Sequence, residues 1–241
     1  MDNPTVDQDR LDDQVNRFGF WCAAACIATA LLALLLPLDV PEGYAATATD
    51  RLAWLHANSG AFVAGWMNQI VAMLSLSGLF LALAWRARHR NPLAALLGAG
   101  AVAMATMAFA IPKFMAVWTI PLLTEASITG GSGAEMASML LPLLNVSIPF
   151  SLYTSFDYLG FWLYALFALL VTRSLVGQDG LSKLAALSLG LFGWGFHLAL
   201  ALLLSGVIGA AEIEIYFGAS FIPLLPLILV MAVIFRRAGS D

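Results

Sequence analysis

The chain has 241 residues, 61% of them hydrophobic and only 11% charged, with a formal net charge of −4 and a mean hydropathy of +0.87. Soluble domains carry about 25% charged residues, so this composition excludes a soluble globule, and the weak negative balance argues against nucleic acid as a partner. Apolar runs of roughly 18–20 residues or more, with no partner in lipid for an open strand, predict an all-α polytopic membrane helix bundle.

Residues 1–17 hold Asp2, Asp7, Asp9, Asp12 and Asp13 against Arg10 and Arg17. They lack the basic region of a cleavable signal peptide, so the first span is expected to be retained. Their shortage of apolar side chains predicts a flexible acidic cytoplasmic tail. Residues 18–237 read as one six-helix transmembrane domain and 238–241 as a C-terminal tail.

Span one covers Phe18 to Leu38 and ends at Pro37 and the turn-rich Asp39-Val40-Pro41-Glu42-Gly43. Cys22 and Cys26 share one helix face; with no Cys-x-x-Cys spacing and no neighbouring cation to activate a thiol, they read as small packing residues. Thr49-Asp50 marks the start of a short interfacial helix anchored by Trp54.

Span two, Ala61 to Trp85, is followed by Arg86-Ala87-Arg88-His89-Arg90. Span three starts after Asn91-Pro92 and runs to a point between Lys113 and Leu123. Its face of small residues, Ala94, Gly98, Ala101, Ala105 and Ala108, suits close helix packing in lipid. Thr124 to Glu135 reads as a Gly/Ser-rich acidic loop. Met136 to Phe150, interrupted by Pro142 and Pro149, is too short to cross and reads as a re-entrant or interfacial helix before span four. Spans four, five and six follow at Tyr153 to Val176, Leu184 to Ile208 and Ala211 to Phe235, with only two or three residues between the last two. Pro223 and Pro226 are expected to kink the final helix.

Six spans put both termini on one side, and basic residues say which. Arg10 with Arg17, the Arg86 to Arg90 cluster, Arg173 with Lys183, and Arg236 with Arg237 all fall together, whereas the opposite loops carry Arg51 among several glutamates. The positive-inside rule makes both termini cytoplasmic. Compact loops and Ala/Leu-rich spans point to a bacterial cytoplasmic (inner) membrane.

With orientation set, depth follows from a helix rise of about 1.5 Å per residue. Asn68, Gln69, Lys113, Asp157, Glu212, Glu214 and Tyr216 fall in the outer half, and His197 lies near mid-membrane. Lys113 stands out as an ammonium group inside the longest apolar run, where a charge is normally paired, snorkelled or functional. These residues are the candidate ligand-binding set, with Lys113 expected to pair with Asp157, Glu212 or Glu214 and His197 to sit at the floor of an outward-opening cavity. A snorkelling lysine, first-turn acids favoured by the helix dipole and a histidine bonded to a neighbouring helix would give the same pattern without a ligand.

No nucleophile elbow, zinc-protease helix or phosphate-binding loop is present. His56, His89 and His197 lie at different levels, so no metal and no cofactor is expected. The predicted function is therefore non-enzymatic: binding a lipid-like or small polar ligand, or serving as a subunit of a membrane complex. The expected partners are membrane lipids and a second membrane protein or another copy of the chain. A proton-coupled carrier using Lys113, Asp157 and His197, and an intramembrane enzyme acting on a lipid headgroup, are the alternatives. No motif singles out a family.

Overall fold

A computed structural model describes residues 4–149, 151–209 and 212–238; the side chains of residues 4–7, 213 and 214 lie outside what it describes. The fold is all-α. Its helices are α1 (Pro4–Ala33), α2 (Ala48–Ala57), α3 (Ser59–Ala87), α4 (Pro92–Phe114), α5 (Ile120–Thr129), α6 (Ala134–Leu144), α7 (Leu152–Leu175), α8 (Gly180–Leu204), α9 (Ile213–Phe221) and α10 (Leu224–Ala238). Six segments are long and apolar enough to cross a membrane, counting α4 with α5 and α9 with α10 as single spans, which is consistent with an integral membrane protein.

Helix boundaries differ from expectation at several points. The acidic segment read as a flexible tail is helical from Pro4 and continuous with the first span; acids in a first turn are favoured by the helix dipole. The third span continues past Leu123 to Thr129 and stops at Gly130 and Gly131, whose φ values of 74° and 115° suit glycine. Within it, Met115–Thr119 widens to a π-turn after Pro112. The link between α8 and α9 is longer than expected, with residues 210 and 211 outside the described set. The last span is interrupted between Phe221 and Leu224, at the expected Pro223, where a ring nitrogen cannot donate to the helix ladder, whereas Pro226 falls in the first turn of α10 and does not break it. Helix α6 has 11 residues, too few to cross.

Contacts divide the chain into two compact units. The first comprises Met1–Ala28, Leu74–Met104 and Trp162–Asp241. At its core Phe80 stacks on Phe167 at 4.8 Å and meets Tyr164 edge-on at 5.0 Å, while Ser77 Oγ and the Tyr164 hydroxyl lie 2.5 Å apart. Gly98 lets α4 approach α7 closely: a Cβ there would lie 3.0 Å from Val171 and 3.1 Å from Phe167. At the basic end, Asp12 accepts from Trp85 Nε1 and from Arg88, each at 2.6 Å, and Arg86 donates to Asn16 at 3.1 Å.

The second unit comprises Thr29–Met73 and Ala105–Phe161. Leu55, Phe62, Trp66, Ala116, Ile120, Leu141 and Tyr153 form its packed core. Aromatic edges run through it, Trp54 to Phe62 at 6.4 Å, Phe62 to Trp66 at 6.2 Å and Trp66 to Tyr153 at 5.1 Å. Arg51, buried on α2, is ion-paired with Asp39 and donates to Gly43 O at 2.6 Å, tying the loop after α1 onto α2.

Candidate functional site

The lysine on α4 is buried, only 5% exposed. It is held there by chemistry from three directions. Its ammonium donates to Asp157 Oδ1 of α7 at 2.8 Å. The ring of Phe109, one turn earlier on α4, lies 4.6 Å from Nζ, and that of Trp66 lies 6.0 Å away. Aromatic faces attract cations through the ring quadrupole, so both rings add to the ion pair.

Local sequence explains the arrangement. Phe109 and Lys113 are four apart, as are Tyr153 and Asp157, and side chains at that spacing lie on one helix face. Gly160 on α7 gives Phe109 its room: a Cβ there would sit 2.7 Å from the ring. The Trp66 indole is fixed by donating to Leu38 O at 3.0 Å.

Two polar atoms beside the pair remain uncommitted. The Tyr153 hydroxyl is buried with no hydrogen-bond partner among the described residues. Asp157 uses Oδ1 for the lysine, and 22% of its side chain is exposed. The arrangement can therefore offer a carboxylate oxygen and a phenol to a hydrogen-bonding ligand. Neither Lys113 nor Asp157 lines one of the principal pockets.

The other candidates distribute as follows. Asn68 is buried in the same unit and donates to Thr29 O at 2.9 Å, as an interhelical tie; neighbouring Gln69 is half-buried. His197, Glu212 and Tyr216 belong to the other unit. His197 Nδ1 lies 2.8 Å from Gly193 O, one turn back on its own helix, with Trp162 at 6.5 Å. Glu212 accepts from the Gly209 N–H at 3.0 Å, closing its own turn, and Tyr216 is exposed. The Glu214 side chain lies outside the described residues. Among the described side chains, Asp157 is the acid that Lys113 meets.

Sequence reasoning passed over Tyr153 and Phe109, although the four-residue spacings signalled both. Trp66, near a span end where aromatic residues commonly line the membrane interface, is buried. Among the described residues, no group of three or more His, Cys, Asp or Glu is placed to hold a metal ion. No protein-family profile, curated protein or solved structure matches the chain.

Proposed function

We propose that this is a non-enzymatic, multi-pass protein of a bacterial cytoplasmic membrane, with both termini cytoplasmic, whose outer half binds a small polar or lipid-like ligand at Asp157 and Tyr153. Such a protein serves alone or as a subunit of a membrane complex. The observation that carries the reading is the buried Lys113–Asp157 pair with the unpartnered Tyr153 hydroxyl beside it. Ionisable residues inside spanning helices are rare because each is costly, and they commonly mark ligand, ion or proton sites. A purely structural pair would have little use for an orphaned phenol one turn away, since a buried hydroxyl without a partner costs about 1–3 kcal/mol.

Thermal unfolding of the protein in nanodiscs, screened against polyols, primary amines and glycerolipids, tests the reading. At least one probe is expected to raise the midpoint, and Asp157→Asn and Tyr153→Phe are expected to abolish that rise while Lys183→Ala keeps it. A panel without any stabilising member, or rises indifferent to Asp157 and Tyr153, would overturn it.

A further inference from the structure

A second polar side chain without a hydrogen-bond partner among the described residues belongs to a largely buried residue that lines a pocket. Asn145, the C-cap residue of α6, is 5% exposed. Its backbone N–H donates to Leu141 O at 2.9 Å, but its side-chain amide makes no hydrogen bond to any described residue. That amide lines a pocket of about 340 Å³ enclosed by α2, the end of α5, α6 and the segment that follows α6.

The lining defines the occupant. Leu52, Leu55, Leu141 and Ile148 make an apolar wall, and Leu55 and Leu141 belong to the packed core with Trp66 and Tyr153. The one ionic side chain in the lining, Arg51, is already neutralised by Asp39. Ser127 and Ser138 direct their hydroxyl protons to carbonyls of their own helices, at 2.8 and 2.7 Å, so toward the pocket they present acceptor oxygens. Asn145 adds two donors and one carbonyl acceptor. An anion would find no free positive charge here and a cation no free carboxylate. A hydrocarbon chain ending in hydroxyl or ester groups would satisfy the amide, the serines and the apolar wall together. The volume equals that of roughly eleven waters at about 30 Å³ each, enough for a head and the first part of a chain, with the rest extending through the open side.

We infer that this pocket is a binding site for an uncharged amphiphile of the monoacylglycerol type, distinct from the Lys113–Asp157 pair and recognised through the Asn145 amide. The ligand reaches it from the bilayer or from the outer water, and the same hydroxyl–ester chemistry serves in either case.

The experiment uses the full chain in phosphatidylcholine vesicles with a diazirine-bearing 1-decanoylglycerol, and a decyl sulfate carrying the same tag as the anionic control. The probe is either built into the bilayer or added from outside; the arm that captures faster identifies the source. Crosslinks are expected at residues 44–55 and 138–148, with the neutral probe preferred. Asn145→Leu is expected to reduce capture about fivefold, the loss of one hydrogen bond to a neutral group. Since that side chain makes no internal bond, folding should survive, and unfolding midpoints verify this. Ser138→Trp, at an exposed lining position, is expected to block capture by filling the space. Lys183→Ala, at an exposed position away from the pocket, should leave capture unchanged. Undiminished capture in both Asn145→Leu and Ser138→Trp, preference for the sulfate, crosslinks elsewhere, or an equal loss in Lys183→Ala would each overturn the assignment.

Discussion

Gly160 and Phe109 are matched across α7 and α4 so closely that a single added methyl would lie 2.7 Å from the phenyl ring. Because the same ring lies 4.6 Å from the Lys113 ammonium, the glycine sets the position of the aromatic face that the cation meets. Gly160→Ala is expected to destabilise the protein by about 1–3 kcal/mol through overpacking. Gly100→Ala, within α4 where nothing lies inside 4 Å of the new Cβ, is expected to stabilise it by about 0.5–1 kcal/mol. Thermal unfolding of both variants in one detergent checks the contrast.

The Lys113–Asp157 pair should show the asymmetry of buried ion pairs. Lys113→Met strands a carboxylate and is expected to cost about 3–5 kcal/mol, whereas Lys113→Met combined with Asp157→Leu is expected to recover most of that loss. The interaction energy from the resulting double-mutant cycle is the measurement. Equal destabilisation by the single and double variants would refute a coupled pair.

Arg51 offers a comparison in which geometry matters as much as charge. One guanidinium nitrogen pairs with Asp39 and the other donates to Gly43 O. Lysine keeps the charge but cannot span both acceptors with a planar fork, so Arg51→Lys is expected to lose a large part of the stability lost by Arg51→Ala. Faster protease cleavage between residues 39 and 47 reports the release of the loop.

Asp179, the N-cap of α8, accepts from the Ser182 hydroxyl at 2.7 Å and from its backbone N–H at 2.9 Å. These bonds hold its carboxyl below the usual value of 3.8. A depressed folded-state pKa means stability that is full above the unfolded value and lost as pH falls through the folded one. Asp179→Asn is therefore expected to remove part of the acid sensitivity of the unfolding midpoint below about pH 4 without lowering the midpoint at pH 7 by more than a few degrees.

Membrane sidedness is open to direct labelling. With Cys22 and Cys26 replaced, His89→Cys is expected to react with an impermeant maleimide only after the cells are opened, and Ser132→Cys in intact cells. The reverse pattern would invert the proposed topology.

Much of this arrangement was legible in the chain. Six apolar runs gave the spanning helices, and the isolation of Lys113 in the longest of them flagged the buried charge. The small-residue face from Ala94 to Ala108 turned inward as its spacing implied. The choice of Asp157 over other acids was not legible, because it depends on how each helix is rotated about its axis, which is settled by contacts such as Gly160 against Phe109. Trp66 shows the same limit: its place near a span end suits a headgroup belt, but a carbonyl at Leu38 draws the indole inward. The Asn145 pocket left no trace in any periodicity, since its walls come from two short helices, the end of a third and irregular segments, joined only by folding.

The wide turn at Met115–Thr119, where the Ile120 N–H reaches back to Met115 O, makes chain length itself a structural parameter. An i→i−5 turn holds one residue more than an α-turn, so deleting one residue there would rewind it to α and leave Ile120 and Thr124 near the phase at which they now enter the core, whereas a further residue, at about 100° per residue, would swing them away. A one-residue insertion in this stretch is therefore expected to abolish folding and a one-residue deletion to be tolerated, while a residue inserted among Gly130–Gly133 is absorbed by the link. Tolerance to such indels, more than to side-chain exchange, would record how tightly the phase of this span is set.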